Sequence, residues 1–335
     1  MKKIESIQAL RAFAAVSVVL SHISFMKSGA YGVDIFFVIS GYLMMYSTQN
    51  GLEGYWKKKF FRIVPLYWFM TLVTAAAVWK LPDLFRSYEV SGIYLLKSLC
   101  FIPYEHSGIR QPILGLGYTL NYEILFYLLF FLASKIAVKR KYESRGWICC
   151  VLLAVLLSFR IFPLPMPFQF WCSFLMIDFL FGILIYYFFH SACFKEWLDK
   201  KNSFVEWASG ILIGVIAVFL WGGGKYISVE VIRIFLWGIP SAILFMAVYV
   251  FFYDKKILPF FVLVGNISYY IYLTHPYCVR LTEKITALFL ENKLISHAVI
   301  VVLAVTSSVL LGFLVSVFLN KTNGIWHGLS SGKGR

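Results

Sequence analysis

Long apolar runs without interruption dominate this chain and limit what it can fold into. They extend for about 17–25 residues, the length at which an α-helix crosses a hydrocarbon core of roughly 30 Å. A membrane β-barrel would instead show segments of about ten residues with alternating polarity. Because only helices and closed barrels satisfy their backbone groups inside a bilayer, the runs predict an all-α polytopic membrane protein.

The runs divide into about ten transmembrane helices of one bundle. The predicted spans are 7–26, 32–47, 63–80, 118–134, 147–162, 170–190, 204–222, 230–253, 258–276 and 295–319. Segment 90–103 is apolar but short and contains Lys97, so we expect a re-entrant or interfacial piece. We predict a single domain over residues 1–335, with a short basic tail from about 320.

Composition and charge support a membrane protein and set its orientation. Hydrophobic residues make up 60% of the chain and charged residues 14%, whereas soluble domains are about 45–50% apolar and about 25% charged. The net charge of +15 would suggest nucleic acid in a soluble protein. Here the cations gather in alternate loops, such as Lys139, Arg140 and Lys141, which places both termini in the cytoplasm. We therefore expect membrane lipids, and no nucleic acid, as partners.

A few titratable residues interrupt the apolar runs. They are Arg11, His22, Asp34 and Glu123. Since a charge at the bilayer centre costs about 2.5–3.5 kcal/mol on insertion scales, such residues face a bundle interior and mark function. With spans of alternating direction, His22, Asp34, Glu123 and His275 all fall in the outer third of the membrane. Arg11 lies roughly 16 Å deeper than His22 on the same helix face.

A histidine beside a carboxylate is the basic unit of general base catalysis, because the carboxylate orients the ring and stabilises its charged form. The convergence predicts catalysis by His22, with Glu123 and Asp34 as its partners. The alternative for His22 is a hydrogen bond between helices, and His275 is closer to that alternative than to catalysis. The cysteines lie in or beside apolar runs without CxxC spacing, so we expect no disulfide framework and no metal site.

The loop before the third span carries a basic cluster, Lys57 to Lys59 and Arg62, among aromatic residues. Two interpretations remain open from these residues. One is ordinary positive-inside charge that contacts anionic lipid. The other is a clamp for the phosphates of an anionic cofactor, since Lys59 and Arg62 lie three apart on one helix face.

Five stretches form a recognisable series. They are IQALRAFAAVSVVLSH (7–22), YGVDIFFVISGYL (31–43), KKKFFRIVPLYW (57–68), GYTLNYEILFYLLF (117–130) and GNISYYIYLTHP (265–276). In this order the series resembles the acyltransferase 3 family of integral membrane acyltransferases. Two departures are mild: Tyr118-Thr119 stands where the family has Trp-Ser, and Lys58-Lys59 replaces a doubled arginine.

The resemblance implies transfer of an acyl group, usually acetyl, from cytoplasmic acyl-coenzyme A to a sugar hydroxyl. The acceptor would be a free or lipid-linked carbohydrate of the bacterial envelope or an exported one, and the enzyme would lie in the inner membrane. Acetyl-coenzyme A would be a donor substrate, and no cofactor would be tightly bound. The expected residues are His22, Glu123 and Asp34 for catalysis; Arg11, Lys58, Lys59 and Arg62 for coenzyme A; and Tyr118, Asn121, Tyr127 and His275 for substrate.

Two other functions use the same residues. A proton-coupled transporter or flippase of acylated sugars would employ the histidines and carboxylates as a proton relay. A membrane scaffold without chemistry would tolerate loss of His22. Binding of acetyl-coenzyme A separates the acyltransferase from both.

Overall fold

The computed structural model describes residues 2–26, 28–80, 90–138, 142–223, 230–290 and 292–331. Cations Lys139, Arg140 and Lys141, predicted on the cytoplasmic side, lie outside this part. The described residues form helices and the turns and loops that connect them. One loop contains an isolated antiparallel β-bridge between His106 and Ile109. The helices are α1 (Lys2–Ser21), α2 (Gly32–Ser47), α3 (Tyr55–Lys80), α4 (Gly92–Leu99), α5 (Gly117–Val138), α6 (Arg145–Ser158), α7 (Phe168–Trp171), α8 (Ile177–His190), α9 (Ala192–Asp199), α10 (Ser203–Gly223), α11 (Glu230–Arg233), α12 (Ile239–Phe251), α13 (Pro259–Asn266), α14 (Ser268–Phe289) and α15 (Lys293–Ser331). The predicted all-α class is confirmed.

Six helical segments of the described chain are long and apolar enough to cross a membrane. They are Tyr55–Lys80, Gly117–Val138, Tyr142–Ile161, Ser203–Gly223, Glu230–Phe251 and Lys293–Leu319. A seventh candidate combines Phe174–His190 with Ala192–Asp199 and bends by 67° between them. The protein is therefore an all-α membrane protein, while the predicted count of ten spans is not confirmed.

The predicted span 258–276 is wrong in its boundaries. Helix α13 ends at Asn266, and α14 then continues past Pro276 to Phe289. Proline lacks an N–H and usually ends a helix in water, but membrane helices tolerate it because neighbouring groups bond the affected carbonyl. His275 consequently lies inside a helix and not at its end.

The chain divides into two compact units, which we describe separately: unit 1 is residues 1–32 with 251–335, and unit 2 is residues 33–250. The single domain over 1–335 stays a prediction. In unit 1, α1 packs against α13, α14 and α15, and α14 runs along α15. Gly265 allows the close approach of α13 to α1, because a Cβ there would lie 2.0 Å from the carbonyl oxygen of Gln8.

Unit 2 contains a core of stacked aromatic rings between α2, α5 and α8. The ring centroid of Phe179 lies 4.2 Å from that of Phe126 and 4.4 Å from that of Phe37. Gly182 brings α8 against the backbone of α2, since a Cβ at this position would lie 2.1 Å from the carbonyl oxygen of Val38. This close contact fixes α2, which carries Asp34, against α8.

The short helix α4 is docked on α3 by two hydrogen bonds to its last carbonyls. Tyr67 donates to Ser98 over 3.0 Å, and the Trp68 indole donates to Leu99 over 2.8 Å. Tyr104 packs beside them, and burial raises the pKa of its hydroxyl. A helix of eight residues is about 12 Å long, too short to span, as expected for segment 90–103.

Candidate active site

His22 lies directly after the last residue of α1, in unit 1. Its backbone N–H bonds to the carbonyl of Val19, and its ring Nδ1 lies 2.9 Å from the carbonyl oxygen of Val18. Because a carbonyl oxygen only accepts hydrogen bonds, Nδ1 carries the proton. Nε2 is then the nitrogen with a lone pair, which is the atom that a general base uses.

Pro276 sets the tautomer of His275 in a similar way. In a regular helix, residue 276 would donate its N–H to the carbonyl of Tyr272, and proline has none to donate. His275 Nδ1 lies 2.8 Å from that carbonyl oxygen and donates to it instead. The His275 side chain is fully buried, and no described group forms a hydrogen bond with its Nε2.

The two imidazole rings meet inside unit 1. Their centroids are 4.6 Å apart and their planes are nearly perpendicular, at 78°. Arg280, one to two turns after His275 on α14, lies close enough to act on His22 electrostatically. Unit 1 thus combines two histidines, each with its Nδ1 proton committed to a carbonyl, and one nearby cation. A pair of this kind can accept a proton from a hydroxyl group.

Arg11 lies deeper on α1 than His22, as predicted. Its guanidinium is 3.4 Å from the side-chain oxygen of Gln8, beside the position where Gly265 brings α13 against α1. The Arg11 side chain is half-buried, so its positive charge lies partly within unit 1. Such a cation can bind an anionic group that enters from the α1 N-terminal side.

Glu123 lies near the start of α5 in unit 2, within a polar chain of contacts. Its carboxylate accepts hydrogen bonds from Tyr127 and, over 3.3 Å, from Ser40 on α2. The Lys59 ammonium lies 4.5 Å from the centroid of the Tyr127 ring. Glu123, predicted for catalysis, is thus next to Tyr127, predicted to contact substrate. Tyr127 in turn is next to Lys59, predicted to bind coenzyme A.

Two further cations of the basic cluster, Lys58 and Arg62, are exposed on the first turns of α3. They lie four residues apart and so share a helix face. The exposure suits an anionic ligand that approaches from outside unit 2, whether a phosphate or a lipid head group.

Asp34 forms a bidentate ion pair with Arg233, with distances of 3.0 Å and 2.7 Å. Asp178 on α8 is also buried and lies close enough to Asp34 and Arg233 to interact with both electrostatically. The Arg233 guanidinium lies over the Trp237 ring, 4.7 Å from its centroid, and the turn Ile234–Gly238 between them is π-helical. Asp34 is thus the centre of a buried cluster of two acids and one cation.

Two predicted substrate residues lie on the first turns of α5. Tyr118 is close to Asp34 and Arg233, which both act on it electrostatically. Asn121 is buried, and its side-chain oxygen has no partner among the described residues. A buried amide oxygen without a partner costs about 1–3 kcal/mol, so Asn121 can accept a hydrogen bond from a ligand.

A cavity of about 340 Å³ opens in unit 2 near the start of α5. Its wall includes Tyr122, Phe170, Arg160, Glu230 and Gln169. This cavity could not be predicted from the sequence, because its residues come from five separate segments. Asp178 and Arg233 were also not predicted, although each is a charge inside an apolar run, the signal that identified Asp34.

Comparison with known proteins gives a match over almost the whole chain. The sequence profile of the acyltransferase 3 family, described as an acyltransferase domain, matches residues 4–320. Three relatives share shorter parts. The exopolysaccharide production protein ExoZ of Rhizobium meliloti is 40% identical over 107 residues, which are 30% of this chain and 33% of ExoZ.

Peptidoglycan O-acetyltransferase OatA of Listeria monocytogenes is 31% identical over 147 residues, 38% of this chain and 24% of OatA. O-acetyltransferase OatA of Staphylococcus aureus is 29% identical over 171 residues, 45% of this chain and 28% of OatA. The matched part therefore spans a quarter to a third of the length of these relatives. No solved structure matches the chain.

Proposed function

Because the chain belongs to the acyltransferase 3 family, we propose that it is an integral membrane O-acetyltransferase acting on bacterial envelope or exported glycans. Two relatives are O-acetyltransferases and a third is a protein of exopolysaccharide production. The observation that carries the proposal is the histidine pair of unit 1, in which His22 has an Nε2 lone pair suited to a base.

The donor in this proposal is cytoplasmic acetyl-coenzyme A, and the membrane is the bacterial inner membrane with both termini in the cytoplasm. Lys58, Lys59, Arg62 and Arg11 hold the phosphates of the donor. The exposure of Lys58 and Arg62 and the half-buried position of Arg11 support this role. Acetyl-coenzyme A is a substrate here, bound and released in each turnover.

His22 acts as general base in the reaction. Its Nε2 takes the proton of the acceptor hydroxyl as the hydroxyl oxygen attacks the thioester carbonyl carbon. The tetrahedral intermediate then collapses, the C–S bond breaks, and the leaving thiolate takes the proton back from His22. The new C–O bond is an acetyl ester, and the charges balance throughout.

Glu123 is the carboxylate that we propose to stabilise charged His22, on the basis of the span order. Asp34 is the second candidate, and its ion pair with Arg233 makes it the weaker one, since its charge is already balanced. Tyr118, Asn121, Tyr127 and His275 contact the substrates. The unsatisfied oxygen of Asn121 supports a bond to an acceptor hydroxyl.

A second route begins with acetyl transfer to His22 itself, followed by attack of the acceptor. Rapid quench of the protein with donor alone, followed by mass spectrometry, distinguishes the two. An acetyl adduct on His22 would support the second route. A protein that binds the donor and gives no adduct would support direct transfer.

The second candidate function is a proton-coupled transporter or flippase for sugars. The buried cluster of Asp34, Asp178 and Arg233 favours it, since buried acids of a membrane protein can relay protons. A transporter should not bind acetyl-coenzyme A, and its activity should survive Lys59→Glu with Arg62→Glu.

The test of the proposal is O-acetylation in cells. The gene is deleted and complemented with wild type, His22→Ala, Glu123→Ala or His297→Ala, and the isolated envelope glycans are analysed by NMR. We expect acetyl signals to be lost on deletion, restored by wild type, and absent with the first two variants. His297, which stacks on Phe25 in unit 1, is the matched control and should restore the signals. Unchanged acetylation in every strain, at equal expression, would refute the proposal.

A further inference from the structure

The cavity of unit 2 lies where three helical segments meet at one end. Tyr122 comes from the first turns of α5, Arg160 from the helical turn that follows α6, and Glu230 from the first residue of α11. The basic cluster at the start of α3 contacts α5 farther along, where Lys59 meets Tyr127. The cavity therefore lies nearer the end of unit 2 that is opposite the basic cluster, which is the extracytoplasmic end in the proposed orientation.

The floor and wall of the cavity are aromatic. The rings of Tyr122 and Phe170 are stacked, with centroids 4.4 Å apart and an interplanar angle of 12°. Both residues are buried, with exposures of 5% and 8%, so the stacked pair is held firmly. A rigid apolar surface of this kind suits the C–H face of a sugar ring.

Polar groups of both hydrogen-bonding kinds surround this surface. Glu230 Oε2 accepts bonds from Arg160 over 3.2 Å, from Ser173 over 3.2 Å and from the N–H of Phe174 over 3.4 Å. Arg160 also donates to the carbonyl of Cys172 over 3.1 Å. These hydrogen bonds hold the Glu230 carboxylate and the Arg160 guanidinium beside each other in fixed orientations. The carboxylate can still accept, and the guanidinium can still donate, further hydrogen bonds.

Gln169 and Arg110 complete the polar part of the wall. Gln169 is exposed and carries both an acceptor oxygen and donor protons. Arg110 pairs with Glu105 through its Nε, 2.6 Å away, and its terminal nitrogens supply further donors. The wall therefore offers donors and acceptors around a flat apolar surface.

This combination selects one chemical class of ligand. A lipid tail would leave the charged groups of the wall unsatisfied. A polyphosphate binds best where only cations surround it, and here the Glu230 carboxylate would repel it. A hydroxyl group both donates and accepts, so a polyhydroxylated ring satisfies Glu230, Gln169 and the arginines together. The volume of about 340 Å³ lies within the range of about 300–1,000 Å³ that small-ligand sites occupy.

We propose that this cavity binds a pyranose unit of the acceptor glycan, an assignment that rests on the proposed acetyltransferase function. The bound ring packs against the outer face of the Tyr122–Phe170 stack, with its hydroxyls on Glu230, Gln169 and Arg110. The cavity thereby selects the glycan at a place distinct from the donor cations on α3.

Protection of an introduced cysteine tests binding directly. Cys100 and Cys193 are exposed in the native protein, so the parent is Cys100→Ser with Cys193→Ser, and Gln169→Cys is added to it. The full-length variant in detergent is labelled with N-ethylmaleimide in the presence of oligosaccharides released by mild acid from the host's envelope glycans. We expect labelling to slow by about five- to tenfold, and acetyl-coenzyme A to have no such effect. The Cys100→Ser protein, labelled at native Cys193 on α9, is the matched control and should react at the same rate throughout.

Kinetics give a second, independent test in the otherwise native protein. Gln169→Ala and Arg110→Gln each remove hydrogen bonds from exposed side chains, so folding should be unaffected. We expect the KM for oligosaccharide to rise by about five- to tenfold, the loss of about one hydrogen bond, with the KM for acetyl-coenzyme A unchanged.

The outcomes separate the cavity from the reaction. Persistent acetyl transfer with no protection of Gln169→Cys and no change in KM would overturn the cavity assignment and leave the proposed function intact. Protection by oligosaccharides in a protein that transfers no acetyl group would support the cavity and overturn the reaction.

Discussion

The buried cluster of Asp34, Asp178 and Arg233 provides a prediction whose size follows from its composition. Two acids face one guanidinium, and Asp34 accepts both guanidinium bonds. Asp178 is buried beside this pair, and a buried anion without a cation of its own is costly. We therefore predict that the two acids share one proton, carried by Asp178, and that the cluster is neutral as a whole. Replacing Asp34, Asp178 or Arg233 should therefore lower the free energy of unfolding by different amounts.

Asp178→Asn should lower the free energy of unfolding by only about 1 kcal/mol or less. The asparagine amide donates to Asp34 in the same way as a protonated carboxyl group. Asp34→Asn should lower the free energy of unfolding by about 1.5–3 kcal/mol, the value of one charge-assisted hydrogen bond, because the asparagine oxygen keeps only one of the two bonds to Arg233. Arg233→Met should cost about 3–5 kcal/mol, since it leaves buried acids without a cation.

The assay is reversible unfolding of the purified protein in mixed micelles with increasing SDS, monitored by tryptophan fluorescence. Arg110→Met is the matched control, because it breaks an ion pair of similar length in the same unit whose side chains are 47% and 38% exposed. An exposed pair contributes about 0–1 kcal/mol. An Asp178→Asn variant as unstable as Arg233→Met would refute the shared proton, because Asp178 would then be a second anion in the native cluster.

Three further predictions concern single positions. Pro276→Ala restores an N–H that competes with His275 for its carbonyl, so acetyl transfer should fall by about tenfold or more while unfolding in SDS stays unchanged; a parallel loss of stability would contradict this. Gly182→Val should cost about 3 kcal/mol or more in the same unfolding assay, because two helix backbones must separate; wild-type stability would show that α8 does not need the contact. Lys59→Glu should weaken binding of acetyl-coenzyme A in calorimetry by about tenfold or more, with Lys59→Arg as control; equal affinity would remove the lysine beside Tyr127 from the donor site.

The apolar runs were sufficient to predict the all-α membrane class, because hydropathy depends on local sequence alone. They were not sufficient for boundaries. The predicted span 258–276 ended at Pro276, but α14 continues to Phe289. The helix can continue because His275 Nδ1 donates to the Tyr272 carbonyl in place of the N–H that Pro276 lacks. That compensation depends on neighbouring groups and is not visible in hydropathy.

The sequence shows which apolar runs carry charged residues, but not which of these residues pair. A charge in an apolar run identifies Asp34 as a residue with a partner. Its partner Arg233 lies 199 residues away in sequence, and only the fold determines which opposite charge meets it. The same limit explains why the cavity was missed, since its wall combines α5, α7, α11 and the segments between them.

The residues that follow Asp34 on α2 make two further contacts that explain their types. Six residues after Asp34, Ser40 donates to Glu123 over 3.3 Å. Gly41 follows, and a Cβ there would lie 2.2 Å from the carbonyl oxygen of Phe179. One helix therefore binds a cation through Asp34, orients a proposed catalytic carboxylate and packs closely on α8. The three functions require different residue types, which explains why the string reads as a motif.

The two histidines reach the same tautomer by one principle, a backbone carbonyl that lacks its ordinary helical donor. For His22 the carbonyl is that of Val18 at the end of α1, and for His275 it is that of Tyr272, opposite Pro276. In a serine-protease triad a carboxylate performs this orienting task as well as stabilising the imidazolium. Here the backbone has already oriented both rings, so we expect the proposed carboxylate partner to act through its charge alone. Glu123→Gln should accordingly lower kcat and leave the KM for both substrates close to wild type, whereas a variant that raises both KM values would show that Glu123 orients the site.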